Sequence, residues 1–412
     1  MKGVYALMAS FLVSQLAMAS ASADTEHGYA RHIDPVIDQA VGPTIVGTTI
    51  IVIEDGRIVY ERAAGYADRE KAEPARLDTI YRFSSLSKPI IATLAVILAE
   101  RGIIALDAPV SEYRPDLTFR LANGEPAMLT LRHLLTHTAG MTYDFFEEEG
   151  SPFRAANVSG GLDQPGLSME ENLQRLQRVP LKFRPGSQWH YSMATDVLGA
   201  VIETATALPL EEATRRYLLD PLGMTDTSFG LVDADRLASA YADGKPQPVR
   251  IPDTGMVVPF VNGMALSPAR IFDLKSYPSA GAGMSGTAGD FARLILAWMH
   301  GEGTLVSADG LRLLLENQIG DLRAWTEGEG WGFGFAGAVL LDQEAAATPH
   351  NPGTVQWGGV WGNHWFYDPD TRLAAVMLSN TAVAGMFGDY VDAIRDAIYA
   401  AYREQNPGAN DR

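Results

Sequence analysis

The sequence predicts an α+β fold: an antiparallel sheet flanked by an N-terminal and a C-terminal helix, with a mainly helical domain inserted between the two halves of the sheet. Three observations predict it. A helical pattern followed by a strand hairpin opens the chain. Four strand-like runs and an amphipathic helix close it. The long stretch between them is rich in Gly and Pro and carries helical patches.

Taken in order, the first residues read as an export leader. Lys2 gives a positive start, Leu7, Met8, Phe11, Leu12 and Val13 form a short apolar stretch, and Ala21-Ser22-Ala23 supplies an A-x-A site before Asp24, with an alternative cut after Ala19. The stretch is shorter than the roughly 20 residues a membrane span needs. A soluble, exported, periplasmic protein is expected, with residues 1–23 removed.

His27 to Ala40 has helical apolar spacing at Ile33, Val36, Ile37 and Ala40. Ile45 to Ile53 and Arg57 to Ala63 read as strands joined by Asp55-Gly56, a strong hairpin signal. Ser85 to Arg101 reads as a buried helix, with Pro89 in its first turn and Gly102 as its C-cap. Helical patches at Thr130 to Thr136 and Thr195 to Thr206 fall in the middle of the chain. Gly332 to Leu341, Gly353 to Gly359, His364 to Tyr367 and Leu373 to Leu378 read as strands, with a turn at Asp368-Pro369-Asp370. Asp389 to Tyr402 is the last helix. The expected division is residues 24–103 with 281–412 as a discontinuous α/β domain, and 104–280 as the helical one. A cleft between two such lobes is where a small molecule would bind.

Composition narrows the functions. The chain has 412 residues, 47% apolar and 20% charged, as expected of a globular protein with a large core. Its formal charge of −18, without a basic run, gives no support to nucleic-acid binding. It has no cysteine, which excludes disulfides, thiolate nucleophiles and Cys-ligated metals. No later segment is long and apolar enough for stable membrane insertion. The oligomeric state is left open.

The chemistry centres on Ser85-Leu86-Ser87-Lys88. A serine hydroxyl needs a partner to take its proton. Positions i and i+3 share a helix face, so Lys88 lies beside Ser85, and a lysine among apolar neighbours can serve as base in its neutral form. The helix start also offers unpaired N–H groups to a developing oxyanion. Tyr191, in Trp189-His190-Tyr191-Ser192-Met193-Ala194-Thr195-Asp196, brings a phenol that can relay a proton when a cation lies near. Trp357-Gly358-Gly359 lies on a strand whose glycines let a substrate approach the backbone. The N–H of Val360 is then a second oxyanion donor beside that of Ser85.

These pieces, in this order, resemble the serine β-lactamase and penicillin-binding-protein superfamily, its class C-like branch and most closely the family VIII carboxylesterases. Tyr81-Arg82-Phe83-Ser84-Ser85, Arg132-His133-Leu134-Leu135-Thr136-His137-Thr138-Ala139-Gly140, Pro221-Leu222-Gly223-Met224 and Gly281-Ala282-Gly283-Met284-Ser285 support the resemblance, which spans nearly the whole mature chain. It implies a β-lactamase/transpeptidase-like fold, Ser85 as acyl-accepting nucleophile, Lys88 as base, and Tyr191 as partner in acylation and deacylation. The implied partner is a small-molecule ester. No metal and no other cofactor is implied. The resemblance also puts the loop of Tyr143, Asp144 and Phe145 near the acyl or alcohol pocket. Trp357, Gly358, Gly359, Tyr143 and Asp196 are the substrate-binding candidates; Asp196 could also support Tyr191 or cap the next helix. Met193 and Trp357 stand where the β-lactamase pattern has an asparagine and a lysine. Both departures favour small neutral esters over β-lactams or peptides.

Other signals are set aside. No Gly-x-Ser-x-Gly elbow occurs. His133 and His137 have a zinc-compatible i, i+4 spacing but lack the glutamate of His-Glu-x-x-His, and are expected to pack and hydrogen-bond. Gly281 to Gly286 lacks the lysine of a phosphate-binding loop. Glu147 to Glu149 reads as a solvated acidic run.

Overall fold

The structure is a computed structural model, and it describes residues 23–231, 233–301 and 305–407. The expected leader lies outside the described residues except for Ala23, where the first helix begins. Eight strands form one antiparallel sheet: β1 (Gly47–Glu54), β2 (Arg57–Asp68), β3 (Glu73–Pro74), β4 (Trp331–Phe333), β5 (Ala338–Leu340), β6 (Val355–Gly359), β7 (Asn363–Asp368) and β8 (Leu373–Ser379). Their spatial order is β4-β5-β6-β7-β8-β1-β2-β3. The two ends of the chain therefore meet inside the sheet, where β1 pairs with β8 from Thr48 opposite Ser379 to Glu54 opposite Leu373.

Both central strands are apolar throughout because both faces of the sheet are covered. On β1, Ile51 and Ile53 join one core cluster while Ile50 and Val52 join the other. On β8, Val376 and Leu378 face the first, and Ala375 and Met377 the second. The second face is covered by α1 (Ala23–Ala40) and α5 (Asp389–Gln405), through Ile33, Ile37, Ile394 and Ile398. The first carries α4 (Ala288–His300); α2 (Ser87–Glu100) and α3 (Ala194–Thr206) belong to the same apolar cluster, which runs on into residues 104–280. At the hairpin between β1 and β2, Asp55 and Gly56 both take positive φ, 49° and 76°, as a two-residue turn of this twist requires.

One expectation changes. Gly332 to Leu341 is not one strand but the hairpin of β4 and β5, folded where the Gly334 N–H bonds the Gly337 carbonyl at 2.8 Å. A Cβ on Gly337 would lie 2.5 Å from the Gln356 carbonyl, so only glycine lets the hairpin sit against β6. The middle of the chain also holds short β-pairs beside its helices, among them Met256–Val258 with Met264–Leu266 and Tyr241–Ala242 with Val249–Arg250. Two- and three-residue strands leave no period to read.

Candidate active site

Ser85 lies in a 3₁₀ turn, Ser84–Leu86, that runs directly into α2. The turn is held from several sides. The Phe83 N–H bonds the Met284 carbonyl at 2.8 Å, and the Asn363 amide donates to the Arg82 carbonyl at 2.7 Å. The Ser87 hydroxyl, on the far side of the turn from the cleft, accepts the Met284 N–H at 3.1 Å. Ser84 takes φ of 44°, a left-handed conformation that costs a non-glycine residue energy and that the surrounding bonds enforce.

Around the Ser85 hydroxyl the predicted groups come together. The Tyr191 hydroxyl donates to Ser85 Oγ at 2.6 Å, and Lys88 Nζ is 3.3 Å from the same oxygen. Lys88 is only 5% exposed. Its amine also donates to the Gly281 carbonyl at 2.8 Å and to the Tyr143 hydroxyl at 3.0 Å. It lies 4.7 Å from the centre of the Tyr191 ring. Two of the amine's hydrogen positions are thus occupied, and the third direction faces Ser85. The strand β6 abuts the turn. The first hydrogen bond of the turn is Leu86 N–H to the Phe83 carbonyl, so the Ser85 N–H precedes it. Neither that N–H nor the Val360 N–H, just beyond β6, has a partner among the described residues. Ser85 and Val360 both line one cleft of about 520 Å³.

The substrate-binding candidates divide. Trp357 and Gly358 line the cleft. Trp357 is largely buried, its indole packed against Tyr191 and Phe333 at ring distances of 5.0 and 5.2 Å. Tyr143 reaches the cleft wall, but its hydroxyl is bound to Lys88; burial, with Tyr191 and Asp196 nearby, raises its pKa well above the usual tyrosine range and keeps it a neutral phenol. Gly359 is not in the wall. A Cβ there would lie 2.3 Å from the Phe83 carbonyl, so this glycine lets β6 close on the Ser85 turn. Asp196 is not in the wall either. It is fully buried and accepts the Gly281 N–H at 2.9 Å and the Ser279 hydroxyl at 2.8 Å. It thereby holds the peptide whose carbonyl receives Lys88. Burial raises its pKa above the usual carboxylate value despite those two donors.

The histidines fall where expected. His133 Nδ1 accepts the Thr130 N–H at 3.2 Å and closes a capping box on the helix Leu131–Leu135. His137 packs its ring 4.8 Å from that of Tyr191, and burial, with Lys88 close by, pushes its pKa well below the usual value. Within the acidic run, Glu148 and Glu149 are exposed, whereas Glu147 departs from the expectation: it pairs with Lys182 and accepts the Thr142 hydroxyl at 2.9 Å. Three further residues join the site: Gly281, whose stretch Gly281-Ala282-Gly283-Met284-Ser285 does not show that its carbonyl receives Lys88; Gln356, the residue before Trp357; and Glu327, in a loop with no motif around it.

With this geometry in view, comparison with known proteins decides the family. The Beta-lactamase family matches residues 33–399. The chain belongs to the Beta-lactamase family. Among curated proteins it is 45% identical to Esterase EstB of Burkholderia gladioli over 378 residues, covering 90% of this chain and 95% of that protein. Among solved structures of this fold it superposes on EstCE1, described as a hydrolase with promiscuous acyltransferase activity, with a TM-score of 0.86 and 38% identity over 91% of this chain and 100% of that one. The simvastatin synthase of Aspergillus terreus shares the fold at a TM-score of 0.72 and 20% identity, over 93% of this chain and 100% of that one. The α+β class of this Beta-lactamase-family chain is the expected one.

Proposed function

We propose that this protein is a carboxylesterase acting through an acyl-enzyme on Ser85. The observation that carries the reading is the Ser85 hydroxyl, at the floor of a cleft, within 2.6 Å of Tyr191 Oη and 3.3 Å of Lys88 Nζ. The similarity to Esterase EstB supports it.

Ser85 Oγ attacks the ester carbonyl while its proton passes to the neutral Lys88 amine. The carbonyl oxygen becomes negative and is held by the N–H groups of Ser85 and Val360. As the tetrahedral intermediate collapses, the C–O bond to the alcohol breaks. Tyr191 gives its proton to the leaving oxygen and is reprotonated from Lys88. Water then attacks the acyl-enzyme, giving a proton to the same pair; as the bond between the acyl carbon and Ser85 Oγ breaks, the pair returns that proton to Oγ, and the acid is released. Gly281 and Tyr143 accept hydrogen bonds from Lys88 and so aim its remaining direction at Ser85.

Transfer to an alcohol in place of water is the second reading, favoured by the size of the cleft and by the description of EstCE1. β-Lactam hydrolysis is disfavoured, because the neutral Trp357 indole stands where the β-lactamase pattern puts a cation to receive the substrate carboxylate. The leader of residues 1–23 supports a periplasmic location, and N-terminal sequencing of exported protein should begin at or near Asp24.

Intact-mass analysis after brief exposure to p-nitrophenyl butyrate tests the central claim. Wild type should carry a butyryl adduct that maps to Ser85, and Ser85→Ala should carry none and lose turnover. An adduct on Ser87 or Ser192 would overturn the assignment.

A further inference from the structure

Glu327 stands apart from every other charged group along the cleft. The cleft wall includes three ionisable side chains of this kind, Glu327, Asp392 and Arg395, and the last two pair with each other at 2.8 Å. Glu327 has no cation within ion-pair distance among the described residues. Its single hydrogen bond comes from the Gln356 amide, 2.8 Å from Oε2, and Oε1 has no described donor. No neighbouring charge perturbs it; half-buried and undercompensated, its carboxyl is pushed up to about 7. A carboxyl in such a place holds its proton more tightly than usual, and a cation arriving beside it would favour the ionised form.

The neighbouring wall is aromatic. Trp325, two residues before Glu327 in the turn Trp325–Glu327, is 46% exposed and lines the same cleft. Its Nε1 donates to the Trp189 carbonyl at 3.2 Å, which anchors the ring by its edge, and Phe146 packs against it at 5.2 Å. His190, 5.4 Å from the Trp325 ring, is held neutral by burial, its pKa lowered to about 4, so it does not repel a cation. A part-exposed indole and a carboxyl without a cation partner, two residues apart on one cleft wall, are the two kinds of group that recognise an ammonium. The net charge of −18 draws cations toward the protein at long range.

We propose that Glu327 and Trp325 form a subsite for a positively charged nitrogen on the ester, so that the enzyme prefers cationic esters over neutral ones of the same shape. This rests on the esterase reading above. The nitrogen could sit on the alcohol or on the acyl side, and one experiment separates the two. The alcohol arm compares butyrylcholine with its uncharged carbon isostere, tert-butylethyl butyrate. The acyl arm compares the p-nitrophenyl ester of γ-butyrobetaine with that of its tert-butyl isostere. In one arm kcat/KM for the charged ester should exceed that for the neutral one by on the order of tenfold. Glu327→Gln, which keeps the size and the hydrogen bond to Gln356, should bring that ratio close to one, chiefly through KM, and Trp325→Leu should lower it too. A charged-to-neutral ratio of one or less in both arms, or a ratio unmoved in Glu327→Gln, overturns the subsite. Turnover of the neutral isosteres that disappears in Ser85→Ala keeps the esterase reading standing in that event; absence of any turnover of the neutral esters would sink that reading instead.

Discussion

The floor and the rim of the cleft are built in opposite ways. At the floor, Ser85, Lys88, Tyr191, Tyr143, Gly281 and Asp196 are joined by hydrogen bonds of 2.6 to 3.3 Å, and Lys88 and Asp196 are almost wholly buried. Moving one of these groups disturbs the rest. At the rim, Val261 and Phe387 are 62% and 50% exposed, and Phe387 meets Phe260 only ring to ring, at 6.0 Å. The rim segments come from loops on three separate stretches of chain. On the proposed reading, chemistry belongs to a small network that tolerates little change, whereas choice of substrate belongs to surfaces that can vary without unfolding the protein.

The largest effect should come from breaking the floor at its base. Lys88→Arg keeps a long basic side chain, but a guanidinium already holds its proton and cannot take up that of Ser85. We expect kcat/KM for p-nitrophenyl butyrate to fall by about 10³-fold or more, with an unchanged circular-dichroism spectrum. Near-normal turnover would remove Lys88 as the base and with it the claim that the floor is one unit. Tyr191→Phe should leave the ring contacts intact and lose the proton relay, with a loss of about 10²–10⁴-fold.

One step further back, Asp196 acts through Gly281. The Gly281 N–H and the Ser279 hydroxyl bond the same oxygen of Asp196, Oδ1, so Asp196→Ala leaves both donors without an acceptor. An unpaired buried donor costs about 1–3 kcal/mol of stability, so the variant is markedly destabilised. The Gly281 carbonyl shifts, and Lys88 with it. Misplacement of about 1 Å costs up to roughly 10²-fold in rate, so kcat should drop well below that of wild type while KM changes little. A variant that is destabilised but catalytically normal would make Asp196 a packing residue only. By contrast, Val261→Ser and Phe387→Ser should shift stability by less than about 0.5 kcal/mol, as exposed sites do, and alter the preference among acyl chain lengths by a few-fold. Equal losses of rate on every ester would erase the distinction between floor and rim.

The same contrast explains what could be read in the sequence. α1, the β1–β2 hairpin, α2, β8 and α5 were legible because an apolar period or a turn dipeptide is a local signal. Ser85 and Lys88 were legible for the same reason, being one helical turn apart. Tyr191 is 106 positions from Ser85 and Tyr143 is 55 from Lys88, so their meeting is set by tertiary packing. The motif around Tyr191 gave it away; nothing local revealed that the Tyr143 hydroxyl serves Lys88. Gly359 and Asp196 were placed in the right neighbourhood with the wrong contacts, since a glycine that admits substrate and one that admits backbone look alike in sequence. The β4–β5 hairpin was hidden because a strand and a tight glycine hairpin share the same apolar letters. Glu327 sits in a rim loop, where no period marks which side chain turns inward.

The smallest expected effect tests whether Glu327 is held by its surroundings as a rim residue facing solvent would not be. In the folded protein its carboxyl is pushed up to about 7 by burial, while in the unfolded chain it titrates near 4.5. Below the lower value both states carry the proton, and the contribution of this group to stability is fully present. Between the two values the folded protein keeps a proton that the unfolded chain has released, so stability falls as pH rises. Above about 7 both are ionised and the contribution is gone. Glu327→Gln does not titrate, so the difference in Tm between wild type and this variant should move against wild type from about pH 4.5 to about pH 7 and then stay level. A cation in the subsite should reduce the slope, because it favours the ionised carboxylate in the folded state and draws its titration downward. Thermal unfolding across that range, with and without tetramethylammonium, reads both effects. Parallel Tm curves for wild type and Glu327→Gln would mean that the carboxyl is solvated like any surface glutamate. The unpaired charge in the cleft wall would then have no special claim on a cationic substrate.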